Sequence, residues 1–296
     1  MDDNWESKNV GTQSVDRAQQ GTTLGYLVAE ANAMNAKPVS SLRSADVYPF
    51  GDRGFDVRAK LKGLVKSLKP NPQKRVDSLF KKYQISSIKS SIMESSAFHD
   101  WTSKVMRTYK TNPEAGEVLM VSTLTAHYGD DVVTKMLHEA KEMPRTKAVA
   151  VKLQEAQLIN WMTTGQTADD VFKLLKLDGK TENVFDDPAF RTWMSYVSKL
   201  NQKNPAKPIA IDVLLKNYYE LDLASMIVSS KNNAQEKKNT ILAHILTDLQ
   251  TMLFKRWKHD DVTPNMLAGM YNYRAKFTKE TPYIVTRYAT FYKQID

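Results

Sequence analysis

The sequence predicts an all-α fold laid out as an elongated, end-to-end array of small helical bundles. Three observations carry this. Apolar residues recur at three- and four-residue steps through most of the chain after Val57. Hardly any alternating β-branched run occurs, and one aromatic pattern returns after 92 residues, from Trp101 to Trp193.

Taken in order, residues 1–52 read as a polar arm, with Gly11, Gly21, Pro38 and a serine-rich stretch around Ser40. A short helix is expected over Thr22–Asn35. Leu61, Leu64, Val65 and Leu68 then mark one helical face, and Lys-Pro-Asn-Pro from Lys69 ends it. Val76, Leu79, Phe80 and Tyr83 continue the period. Lys-, Leu-, Ala-, Met- and Gln-rich runs follow, with Pro and Gly falling mainly between them.

The repeat has three elements. SSAFHDWTSKV around Trp101 matches DPAFRTWMSYV around Trp193, and an Asn-Pro pair follows each, at Pro113 and Pro205. LTAHYGDDVVTKML then matches LKNYYELDLASMIV, aligning Tyr128 with Tyr219. KLQEAQLINWMTTGQTADDVFKLL, with Leu153 and Trp161, matches DLQTMLFKRWKHDDVTPNMLAGM, with Leu249 and Trp257. A last copy of the first element is YIVTRYATFY, where Tyr288 takes the tryptophan position.

These spacings place Phe98, Trp101 and Val105 on one helical face, and Leu124, Tyr128 and Val132 on another. An aromatic from each helix can then meet inside a bundle, with the tyrosine hydroxyl at its edge. Leu153, Gln157 and Trp161 share a face of a longer helix that begins near Lys147, just after Pro144. Such a helix, shared between consecutive bundles, stacks units in series. The boundaries expected are an arm at 1–52 and units at 53–145, 146–239 and 240–296, the last cut short.

The quoted elements resemble the W, Y and L elements of the tandem WY/LWY effectors of oomycete plant pathogens, the Phytophthora RXLR class. The resemblance covers roughly residues 56–296, in the order WY, LWY and a truncated LWY. It implies that Trp101, Tyr128, Leu153, Trp161, Trp193, Tyr219, Leu249, Trp257 and Tyr288 are core positions. It implies a secreted, non-enzymatic virulence protein, acting in the host cytoplasm or nucleus by binding a host protein and suppressing immunity. Some members recruit the scaffold subunit of protein phosphatase 2A through adjoining LWY units. The chain departs from the class in lacking a signal peptide and an RxLR–EER segment; Ser41-Leu42-Arg43-Ser44 is a partial echo. It resembles a mature form or a form trimmed for expression, so secretion is what the family resemblance implies.

Composition narrows the chemistry. There is no cysteine among the 296 residues, which excludes disulfides, a thiol nucleophile and thiolate metal sites. No apolar run reaches the ~20 residues of a membrane helix. The net charge of +9 is local: residues 52–110 hold 14 basic and 5 acidic side chains, and the rest is near neutral. Arg58, Lys60, Lys62, Lys66, Lys74, Arg75, Lys81 and Lys82 form a candidate basic surface. It reads either as a solvated helical face or, in the alternative function, as a nucleic-acid or RNA-silencing interface.

No cofactor or metal is expected. Gly179-Lys180-Thr181 ends like a phosphate loop but has Leu174 where the loop's first glycine belongs. The five histidines, His99, His127, His138, His244 and His259, show no metal-ligand spacing. Of the acid pairs at Asp130, Asp169, Asp186 and Asp260, three fall near expected helix starts, which suits capping better than acid–base catalysis. Phe172-Lys173-Leu174-Leu175 and Tyr218-Tyr219-Glu220-Leu221 fit an aromatic-x-x-aliphatic docking pattern, but both fall within helices expected to bury them. A monomer is expected.

Overall fold

The computed structural model describes residues 71–88, 90–179, 184–203, 209–273 and 278–294. The expected helices over 22–35 and 57–68, and the arm, lie outside the described residues. Every described residue belongs to one unit of the chain, within Phe50–Asp296.

The described residues form twelve α-helices and no strand. In chain order they are α1 (Pro72–Lys82), α2 (Ser96–Thr108), α3 (Pro113–Tyr128), α4 (Asp130–Glu142), α5 (Lys147–Thr164) and α6 (Ala168–Leu174). Then come α7 (Pro188–Lys203), α8 (Ile209–Asn217), α9 (Glu220–Glu236), α10 (Thr240–His259), α11 (Pro264–Tyr273) and α12 (Thr281–Gln294).

Local chemistry sets the ends. Ser95 caps α2 by accepting from Phe98 N–H at 3.1 Å, and Asn112 caps α3 ahead of Pro113. Thr167 and Asp170 form a reciprocal capping box on α6. Thr263 Oγ accepts from Met266 N–H at the start of α11, 96 residues on, so the repeat register is kept at this turn. Gly129, at φ +84°, separates α3 from α4; a Cβ there would strain the backbone and meet Asp131 Oδ1 at 3.1 Å. That break takes Val132 off the face shared by Leu124 and Tyr128, and Val132 is exposed.

α1, α2 and α3 pack together, and α3 and α4 both pack on α5. α6, α7 and α8 repeat the first bundle, while α9 pairs with α10 and α12 packs on both. α4 also meets α7, so consecutive bundles are joined by more than the shared helix α5.

The bundles recur atom by atom. Trp101 Nε1 donates to Val76 O at 3.4 Å, and Trp193 Nε1 to Ala168 O at 2.8 Å, with donor and acceptor each shifted by 92. Phe80 meets Trp101 edge-on at 5.3 Å between centroids, and Phe172 meets Trp193 at 4.9 Å. Trp101, Leu153, Trp161, Trp193, Leu249, Trp257 and Tyr288 are buried.

Two expected positions shift. Tyr219 is 72% exposed. The counterpart of Tyr128 is Tyr218: Tyr128 OH donates to Ile85 O at 3.3 Å, and Tyr218 OH to Leu177 O at 3.2 Å. α8 ends at Asn217, which leaves Tyr219 in the extended N-cap position of α9 and turns it outward. Tyr288 does not take Trp193's place but that of Tyr196. Tyr196 OH donates to Gln166 O at 2.7 Å, and Tyr288 OH donates to Val262 O at 2.6 Å.

Candidate protein interface

Several of the groups weighed for catalysis hold structural contacts. His127, on α3, stacks on Phe80 at 4.5 Å, while His138, on α4, faces Arg191 at 3.5 Å. Burial and then the Arg191 charge hold the His138 imidazole below its usual pKa. Among the described residues no three His, Asp or Glu side chains converge as a metal site. Lys180 and Thr181 lie outside the described residues. Asp130, Asp131, Asp169 and Asp170 occupy first turns of helices, and Asp187 accepts from Ala189 N–H at the start of α7. Asp260 instead sits at the C-terminal end of α10, held by Arg256 at 2.7 Å. Phe172, Leu175 and Leu221 are buried, so neither aromatic-x-x-aliphatic segment presents its two anchors.

What the sequence did not single out is a polar connection repeated between bundles. Lys141 Nζ donates to Gln154 Oε1 at 2.6 Å, and Gln154 Nε2 donates to Thr192 Oγ at 2.7 Å. This joins α4, α5 and α7. Burial, followed by repulsion from Arg191, lowers the Lys141 pKa. At the next junction Lys231 Nζ donates to Gln250 Oε1 at 3.3 Å and to Tyr283 OH at 3.2 Å, joining α9, α10 and α12. The signal was present: each glutamine follows Leu153 or Leu249, and each lysine stands 13 residues after Tyr128 or Tyr218.

The first junction also carries an indole–carboxylate bond, Trp161 Nε1 to Asp130 Oδ1 at 2.7 Å, and Thr134 donates to Gln157 Oε1 at 3.1 Å. Burial raises the Asp130 pKa against the lowering effect of the Trp161 bond. Burial also pushes Asp131 up, but Lys176 at 2.8 Å outweighs it and holds that carboxyl low.

The surfaces open to binding are helix faces and the grooves between them. Lys74, Arg75, Lys81 and Lys82 are exposed on adjoining rows of α1. Arg58, Lys60, Lys62 and Lys66 lie outside the described residues. A groove of about 770 Å³ runs between the start of α2 and the α4–α5 turn, walled by Met93, Phe98, Met143 and Val149. No helix among the described residues is long and apolar enough to cross a membrane.

Comparison with known proteins identifies the architecture. Residues 156–197 match the family described as "Effector PexRD54, WY-domain". The chain is 31% identical over 223 residues to the RxLR effector protein CRE15 of Phytophthora infestans, covering 73% of this chain and 60% of that protein. It is 28% identical over 192 residues to the RxLR effector PSR2 of Phytophthora sojae, covering 65% and 28% of the two chains. To PexRD25 of P. infestans it is 36% identical over 172 residues, covering 56% and 52%. The chain thus spans between 28% and 60% of the length of these relatives. The crystal structure of PcRxLR12 superposes with a TM-score of 0.59 at 24% identity, covering 80% of this chain and 54% of that one, which shows a shared fold.

Proposed function

We propose, since this chain is a relative of the Phytophthora RxLR effectors and carries their WY-domain fold, that it is a secreted virulence protein acting inside plant cells. In this reading it is a non-enzymatic adaptor or inhibitor that binds a host protein in the cytoplasm or nucleus and suppresses immunity. The observation that carries the reading is the repeated core. Trp101 and Trp193 hold the same backbone acceptors in successive bundles, so the aromatic residues build a scaffold and recognition falls to its outer faces. We read the scaffold as units at 53–145, 146–239 and 240–296. The finer target we put forward is the scaffold subunit of protein phosphatase 2A, implied by the LWY resemblance.

Expression of the chain in plant leaves tests this. It should lower an early immune output such as the oxidative burst, and an unchanged burst at matched protein levels would remove the virulence reading. A second reading is favoured by one observation, the four exposed cations of α1. Nucleic-acid binding through them would fall steeply with salt. No binding to RNA or DNA at low salt eliminates it.

A further inference from the structure

The repeat register exposes a difference between the two junctions. At the first, Asp130 accepts from Trp161 and Asp131 pairs with Lys176, closing the corner where α4 begins. At the second, Glu220, Leu221 and Asn272 stand at the places of Asp130, Asp131 and Lys176. The buried Trp257 Nε1 meets no acceptor there. The corner where α9 begins instead holds an open groove of about 370 Å³, walled by Leu215, Tyr219, Leu221, Met270, Arg256 and Asp260.

Its chemistry is that of a recognition surface. Tyr219, where the first junction has Gly129, is 72% exposed on the rim. Met270 continues along α11 into Met266, 54% exposed, and Tyr273, 93% exposed. Spacings of four and three put these three side chains on one helical face, about 10 Å long. Ile85 and Leu177, which occupy Tyr273's place in the earlier repeats, are both fully buried. Aromatic and methionine side chains are enriched at interface centres. Arg256 in the groove wall is met by Asp260 at 2.7 Å, Asp212 at 3.4 Å and the charge of Glu220, so three carboxylates face one guanidinium and the His259 imidazole, which meets Asp260 at 3.0 Å.

We infer that this corner docks the apolar face of an amphipathic helix of a partner protein, with lysine or arginine beside its anchors. The inference rests on the adaptor reading and names its surface. A helix is the fitting occupant because the apolar stripe runs parallel to α11 over two turns, and its cationic flank complements the carboxylates.

The test uses the full chain and two labelled 18-residue helical peptides of identical leucine pattern, one with lysine on the polar face and one with glutamate. Fluorescence anisotropy should show saturable binding of the lysine peptide only, although the chain as a whole carries +9. Met270→Glu, and separately Tyr219→Ala and Tyr273→Ala, should weaken that binding by roughly tenfold or more, with helix content and Tm unchanged. Both alanine variants alter exposed side chains, so folding does not confound them. Equal binding of the glutamate peptide, no binding of either, or binding retained in the variants overturns the inference. Self-association of the wild type that the variants abolish would also overturn it, by assigning the groove to a second copy. If the variants still capture the same host protein from plant cells, the adaptor reading stands and this surface is wrong. If no host protein is captured by the wild type, the adaptor reading itself fails.

Discussion

Tyr288 meets Trp257 edge-on, with ring centroids 5.2 Å apart and planes at 78°. Tyr196 meets Trp161 in the same way, at 5.5 Å and 81°. Each tyrosine also caps the carbonyl five residues beyond its tryptophan, Val262 or Gln166. The pairing fixes how the helix after each turn lies against the long helix before it. It also explains why a tyrosine suffices in α12: the position calls for a hydroxyl, which an indole cannot supply.

Trp193→Ala should be the most damaging substitution in the second bundle. It removes a fully buried indole, its packing on Phe172 and Phe190, and the bond to Ala168 O. The expected loss is about 3–5 kcal/mol. Thermal and denaturant unfolding check this, and wild-type stability would refute it.

Asp130 separates charge from hydrogen bonding. Burial raises its carboxyl pKa, so ionised Asp130 opposes folding near neutral pH and its protonation favours folding as pH falls. Asp130→Asn keeps an acceptor for Trp161 without the charge and should leave stability at pH 7 equal or higher. Asp130→Ala leaves the buried indole N–H without its acceptor and should cost about 1–3 kcal/mol. Parallel melts of the two variants decide it.

Gln154→Ala breaks a connection from Lys141 to Thr192 that spans three helices. A loss of about 1–3 kcal/mol is expected, from the removed acceptor and the cavity together. Hydrogen exchange should report it in α4, α5 and the start of α7, and exchange unchanged there would contradict the connection.

Stability should fall in alkali. Burial pushes the hydroxyls of Tyr218, Tyr271 and Tyr288 up to about 12, from an ordinary value near 10. Well below pH 10 both states stay protonated, so these groups leave stability flat there. Above it the unfolded chain ionises first, and stability is lost until the folded hydroxyls titrate near pH 12. Tyr288→Phe should shrink that slope while lowering stability at pH 8 through the lost bond to Val262 O. Tm measured from pH 8 to 11.5 tests both.

The helical period of the apolar residues and the near absence of alternating β-branched runs made the all-α fold legible, and the aromatic repeat made its series of bundles legible. Register failed at two tyrosines, for a local reason. Tyr218 and Tyr219 are adjacent, and which of them is buried depends on whether α8 closes one residue earlier than α3. Sequence identity carries no such information. Tyr288 was misplaced because matching one aromatic to another overrode the hydrogen-bonding need at Val262. The interface was the least legible part. Tyr219 and Met270 become neighbours only when α9 and α11 fold together, while the Lys141 and Lys231 connections required two different offsets, 90 for lysine and 96 for glutamine.

In the proposed function, the outer faces of a repeat-built scaffold bind a host protein. Affinity purification of the tagged chain from plant cells, with nuclease treatment and mass spectrometry, tests it most directly. A reproducible host protein should be recovered that survives nuclease and is lost with Trp193→Ala, with the phosphatase 2A scaffold subunit as the finer expectation. Recovery of no reproducible host protein, or only of proteins released by nuclease, would contradict it.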